Sequence, residues 1–208
     1  MTAERSENQD MEQVILDAAE RLFLARGFAL TSTTEIAKEA GCNQALVHYY
    51  YRTKDRLFSA IFATKVKLFI SAFLRIGEED FPFEEKLKRK IEAHFDILSV
   101  NPRLPFFVFN ELITNPERVK IVKEKVEPLL HEALDQFKRE LDEAIARGAI
   151  RQIDPLDLVM NIISLNVALF VADPILREVL GIDDTGFAAL VARRREETVR
   201  TILNSLRP

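Results

Sequence analysis

Apolar residues recur at helical spacing from near the start of the chain. Ile15, Ala18, Ala19, Leu22, Phe23 and Arg26 fall at i, i+3, i+4, i+7, i+8 and i+11, one stripe along a helix. Asp10 and Gln13 have the spacing of a capping box at its start, and Gly27 in "ARGF" suits its C-cap. The stretch "STTEIAKEAG" (32–41) predicts a short second helix, opened by Ser32 with Glu35 and stopped by Gly41. Asn43 offers an N-cap for a third, over 44–51, and Thr53 one for a long fourth helix from Lys54 to about Ile76. Beyond it the pattern predicts helices over 83–100, 103–114, 116–147 with a break near Pro128, 155–172, 174–180 and 185–206. Pro102, Pro116, Pro155 and Pro174 stand at or near the starts, where proline is tolerated.

This pattern reads as an all-α chain, and composition agrees. Of 208 residues, 48% are hydrophobic, with only 6 glycines and 8 prolines. Thirteen of the 15 phenylalanines lie at or beyond Phe58. The expected division is therefore a disordered tail over 1–10, a polar-faced three-helix domain over 11–55, and a Phe-rich helical domain over 56–208. One cysteine, Cys42, excludes an internal disulfide and a multi-cysteine zinc site. The N-terminus lacks the apolar core of a signal peptide, and the run 158–172 is too short and too polar for a span. A cytoplasmic protein is expected. The net charge of −4 gives no overall pull toward nucleic acid, so if DNA is bound the basic groups must be local.

All 3 tyrosines of the chain, Tyr49, Tyr50 and Tyr51, sit together in "QALVHYYYRTKD" (44–55). Each carries a hydroxyl that needs a polar partner. Two short helices joined by Gly41 have helix-turn-helix spacing, with Ala37 small at the crossing and Val47 pointing inward. In that motif the second helix enters the major groove. At about 100° per residue, Val47 and Tyr51 face the first helix. Gln44, Ala45, His48 and Tyr49 face away, and Leu46 and Tyr50 lie on the flanks. Tyr51 is expected mostly in the core, Tyr49 against sugar, phosphate or a thymine methyl, and Tyr50 on a phosphate. Gln44 has the amide for a bidentate contact with adenine. Thr33 and Thr34 offer hydroxyls and helix-start N–H groups to a phosphate, and Lys54 adds a charge.

The segment "ILDAAERLFLARGFALTSTTEIAKEAGCNQALVHYYYRTKDRLF" (15–58) resembles the DNA-binding domain of TetR-family transcriptional regulators. The likeness rests on "AAxxLFxxxGF", "TxxEIAxxAG" and the "HYYYRTKDRLF" block. It implies DNA contacts at Thr33, Thr34, Gln44, Ala45, Leu46, His48, Tyr49, Tyr50 and Lys54. Three positions depart from the family: His48 for tyrosine, Ala45 for glycine or proline, and Arg52 for proline. The first 55 residues carry nine acidic against six basic side chains, against the sign expected of a DNA-binding domain.

The resemblance further implies a ligand-responsive repressor that binds a palindromic operator as a homodimer, with its last two long helices at the interface. Asn161, Leu165, Ala168 and Ala172 form a stripe suited to close helix packing. Phe69, Phe73, Phe95, Phe106, Phe107, Phe109, Asn110 and Met160 are the candidates for a pocket holding a small, largely apolar effector. Helix four links the two domains, so an effector pressing on it would change the separation of the reading helices. No cofactor is expected. His48, His94 and His131 are far apart and off metal-ligand spacing, and no phosphate-loop, dinucleotide or hydrolase motif occurs, which argues against an enzyme. His94 reads as a solvated or half-buried helix residue. The competing reading is a helical interaction scaffold without specific DNA binding.

Overall fold

The computed structural model describes residues 3–74 and 81–208, with side chains over 11–72 and 81–208. Its described elements are α1 (Ala3–Arg26), α2 (Thr33–Glu39), α3 (Gln44–Tyr51), α4 (Lys54–Leu74), α5 (Phe83–Val100), α6 (Leu104–Thr114), α7 (Glu117–Lys125), α8 (Glu127–Ala146), α9 (Pro155–Val171), α10 (Asp173–Glu178) and α11 (Asp184–Ser205). α1 begins upstream of Asp10, because neither glycine nor proline interrupts the chain between residues 3 and 26. The tail expected over 1–10 is thus helical from Ala3 onward, while the Asp10 side chain and the expected end of α4 near residue 76 lie outside the described residues. The break expected near Pro128 falls at Val126, the N-cap of α8, with proline in the first turn where its missing N–H costs nothing.

The chain forms two compact units. The first joins Met1–Val66 with Phe107–Val122; the second joins Lys67–Phe106 with Lys123–Pro208. The first unit therefore reaches past the boundary expected at residue 55. The reason is its core: Leu57, Phe58, Ile61 and Phe62 of α4 are buried along with Ile15, Ala18, Ala19 and Phe23 of α1, Ile36 of α2 and Val47 of α3. Phe58 meets Phe23 and Phe28 edge-on at 5.0 Å each and stacks on Phe62 at 5.5 Å, and Phe107 of α6 lies 5.6 Å from Phe58 and 5.7 Å from Phe62.

In the second unit α5, α9 and α11 pack on one another, and α8 lies against α5 and α9. Phe83, Leu87, Ile91, Phe137, Leu141, Leu158, Ile162 and Ile202 are buried in one cluster there. Arg195 of α11 clamps α5, with Nε and Nη2 on the two Asp96 oxygens at 2.7 and 2.8 Å and Nη1 on Glu92 at 3.0 Å. His94 departs from its expected exposure: it is 0% exposed, beneath an edge-on Phe69 ring. Asn166 Nδ2 donates to the Ile91 carbonyl and to His94 Nδ1, both at 3.0 Å. Accepting that bond requires a neutral ring, and burial pushes the His94 pKa down to about 4.

Candidate nucleic-acid interface

The helix-turn-helix end of the first unit is held by local hydrogen bonds. Ser32 caps α2: its Oγ accepts from Glu35 N at 3.2 Å, while Glu35 Oε2 accepts from Ser32 N at 2.9 Å. The Ser32 backbone bond, then its hydroxyl and Arg26, keep the Glu35 carboxyl below its ordinary pKa. α2 ends in a Schellman turn, with Gly41 N donating to Lys38 O and Cys42 N to Ala37 O. Gly41 has φ +68°, where a side chain would be strained. Asn43 then caps α3, its Oδ1 accepting from Leu46 N at 2.9 Å. Ala37 and Val47 are buried where α2 and α3 cross, as their positions on the two helices require.

The exposed face carries Thr34, Gln44, Ala45, His48 and Tyr49, with Thr33, Leu46 and Tyr50 half-buried at its edge. Gln44 Nε2 donates to Thr33 Oγ1 at 2.9 Å and lies 3.4 Å from His48 Nε2. His48 Nδ1 lies 3.2 Å from the Arg52 carbonyl oxygen. Tyr49 is 70% exposed and meets Tyr50 edge-on at 5.2 Å. Tyr51 is half-buried, with its hydroxyl 3.5 Å from the Glu12 carbonyl of α1. Burial first, then Glu12 and Asp17, push its pKa up to about 12.

An open groove of about 610 Å³ runs beside α2, lined by Leu30, Ser32, Thr33, His48, Arg52 and Lys54 among others. Lys54, the expected source of a charged phosphate contact, is also engaged within its own unit. Its ammonium donates to Phe28 O at 3.0 Å and Thr31 O at 2.9 Å and sits 4.0 Å over the Phe28 ring, which leaves one N–H for any other partner. Arg52 stands out in the sequence only as a departure from the family. In the structure it closes α3 at φ 58°, and Thr53 N donates across it to Tyr51 O, a γ-turn that proline cannot make. Two further cations are engaged within the unit, Arg21 with Glu39 and Arg26 with Glu35.

This geometry coincides with a family signature. Residues 15–61 match the model for bacterial regulatory proteins of the tetR family, and residues 84–202 match a tetracyclin repressor-like C-terminal domain. The chain belongs to the tetR family. As a tetR-family protein it is a DNA-binding transcriptional regulator, in a family that is not enzymatic. It is 26% identical over 161 residues to the uncharacterized HTH-type transcriptional regulator YhgD of Bacillus subtilis, covering 77% of this chain and 82% of that one. It is 25% identical over 138 residues to the fatty acid metabolism regulator protein of the same organism, covering 66% and 70%. Among solved structures, the TetR family transcriptional regulator PfmR of Thermus thermophilus superposes with a TM-score of 0.64 at 19% identity, covering 89% of this chain and 97% of that one.

The pocket candidates of this tetR-family chain are divided between the two units. Phe107, Phe109 and Asn110 belong to the first unit, and Phe69, Phe95, Phe106 and Met160 to the second. Phe107 packs on Phe58 and Phe62, Phe95 on Phe170, and Phe69 on His94. Phe106 and Met160 are exposed, and the Phe73 side chain lies outside the described residues. A small apolar cavity of about 60 Å³ in the second unit is lined instead by Ile70, Lys90, Leu134, Phe137, Val159 and Ile163, with Leu130 and Ala133. Of the expected interface stripe, Asn161 and Ala168 are exposed on α9, with Leu165 and Ala172 half-buried. Among the described residues no helix is long and apolar enough to cross a membrane.

Proposed function

We propose that the chain represses transcription by binding a palindromic operator as a homodimer, and that a small, largely apolar effector releases it. The supporting observation is the Gln44 amide, held at the exposed start of α3 by Thr33 Oγ1. A side chain set in place before binding loses less freedom on contact. Its amide suits the N6/N7 edge of adenine, and Thr33 and Thr34 bring hydroxyls and the start of α2 to the backbone beside it. Tyr49 lies against sugar or thymine methyl, Tyr50 reaches a phosphate, and Ala45 lets the helix approach closely. Leu46 and His48 flank the same contact, and Lys54 contributes its remaining N–H to a phosphate. One eight-residue helix reads few bases, so a two-fold pair of them needs a palindrome. Asn161, Leu165, Ala168 and Ala172 supply the helix face for that pairing.

The cavity around Phe137 is the proposed effector site. Its walls are apolar apart from Lys90, and at about 60 Å³ they must part to admit a drug-sized molecule. The name of one relative, a fatty acid metabolism regulator, agrees with an apolar effector. Effector and DNA then weaken each other's binding by the same factor.

Selection from random-sequence duplex DNA with the full chain tests this reading. A palindrome with half-sites about one helical turn apart is expected. Enrichment of no sequence would favour the scaffold reading, in which the helices bind a partner protein rather than bases.

A further inference from the structure

Residues from far along the chain complete the DNA-reading unit. Phe107–Val122 pack with Met1–Val66, and within that segment Glu111 and Arg118 are charged yet only 5% exposed each. Ions are buried at a cost unless their surroundings compensate them, so their partners show what they hold. The Arg118 guanidinium lies 4.5 Å over the Phe28 ring and 4.3 Å over the Phe58 ring. Its Nη2 donates to Asp55 Oδ1 at 3.3 Å. Its Nε lies 4.0 Å from Glu111 Oε2 and has no hydrogen-bond partner among the described residues. Glu111 Oε1 in turn accepts from Phe28 N at 3.0 Å.

Phe28 is therefore gripped at every group it has. Arg118 and Lys54 lie over its ring, Glu111 takes its N–H, and Lys54 takes its carbonyl. Gly27 beside it has φ +77°, and a Cβ there would come within 3.5 Å of Glu111 Oε1, so the loop turns against this carboxylate. Lys54 also takes the Thr31 carbonyl, and Thr31 Oγ1 donates to Gly27 O at 2.9 Å. The next residue is Ser32, the cap of α2, and the one after is Thr33, which holds Gln44.

We propose that Arg118 and Glu111 are positioning residues for DNA readout. Buried, they act through Phe28 on the α1–α2 connection. Through it they set the start of α2 and the seat of the Gln44 amide. The proposal rests on α3 being the reading helix.

The test pairs two duplexes, the one recovered by selection with the wild-type chain and a random-sequence one, with four full-length variants. Arg118→Met with Glu111→Gln removes both buried charges, fills the space between the rings and keeps an acceptor for Phe28 N–H. It is expected to bind the selected duplex about tenfold more weakly, with unchanged affinity for random DNA and an unchanged melting temperature. Amides of residues 28–34 should exchange faster. Arg118→Lys, which keeps a cation over the rings, should recover part of the loss. Glu111→Gln alone, the mildest change, gives a smaller loss of the same kind and keeps the test open if the double variant does not fold. Gln44→Ala runs alongside. Wild-type affinity in the double variant while Gln44→Ala weakens binding overturns the proposal and spares the reading helix. Parallel loss on both duplexes also overturns it, since that marks a phosphate contact or a loosened fold. No effect of Gln44→Ala overturns the reading of α3, and the proposal with it.

Discussion

The two units bury different things. The first encloses charges: Lys65, paired with the half-buried Glu20, and Glu111 and Arg118 around Phe28 and Phe58. The second encloses an apolar layer of Leu87, Ile91, Phe137, Leu141 and Ile162, interrupted by a neutral polar pair, His94 and Asn166, and by one charge, Lys90 at the cavity wall. Directional bonds to ions and amides fix an orientation, whereas apolar contact is roughly proportional to area and indifferent to direction. A unit proposed to present Gln44 to base edges gains from the first kind of interior. A unit proposed to open around an effector gains from the second, which can repack at modest cost.

If the second unit rests on apolar area, truncating its core is the most damaging single change. Leu141→Ala, at a 0% exposed position, is expected to lower unfolding free energy by about 2–5 kcal/mol in urea denaturation. A loss below 1 kcal/mol, or unfolding of the first unit alone, would break the comparison at its base.

The buried histidine sharpens it. The His94 pKa is about 4 in the folded chain, below its ordinary value of 6.5, so the unfolded chain takes up the proton first as pH falls. Its contribution is therefore complete above pH 6.5, is lost between 6.5 and about 4, and is flat below. The loss amounts to about 3 kcal/mol. His94→Gln, which keeps an acceptor for Asn166, should flatten that part of the stability–pH curve. An unchanged curve would mean the acid sensitivity lies elsewhere.

The smallest effect falls on the first unit. Ser32→Ala removes the α2 cap and should cost about 1 kcal/mol of stability. Because the same residue precedes Thr33, it should also weaken specific DNA binding. A stability loss with no change in binding would uncouple the cap from the reading surface.

The helix ends around the interface were legible because their causes are local. Ser32 and Glu35, Gly41, and Asn43 with Leu46 act within three or four residues, and the structure uses all of them. The fate of Lys54 was not legible, since its acceptors, Phe28 O and Thr31 O, stand 26 and 23 residues upstream. Arg118 and Glu111 were further out of reach, because nothing in "NELITNPERVK" shows that it closes a core begun a hundred residues earlier. The His94 burial did leave a trace. Leu87, Ile91, His94 and Leu98 follow i, i+4, i+7 and i+11, which puts the ring on the buried face of α5.

The central claim is that α3 reads bases through Gln44. Fluorescence anisotropy with the selected duplex, across a salt series, for wild type and Gln44→Ala tests it most directly. The expected result is an affinity loss of about tenfold or more in the variant, with an unchanged salt slope, because a base contact releases no counterion. Equal affinity in the two proteins at every salt concentration would contradict it.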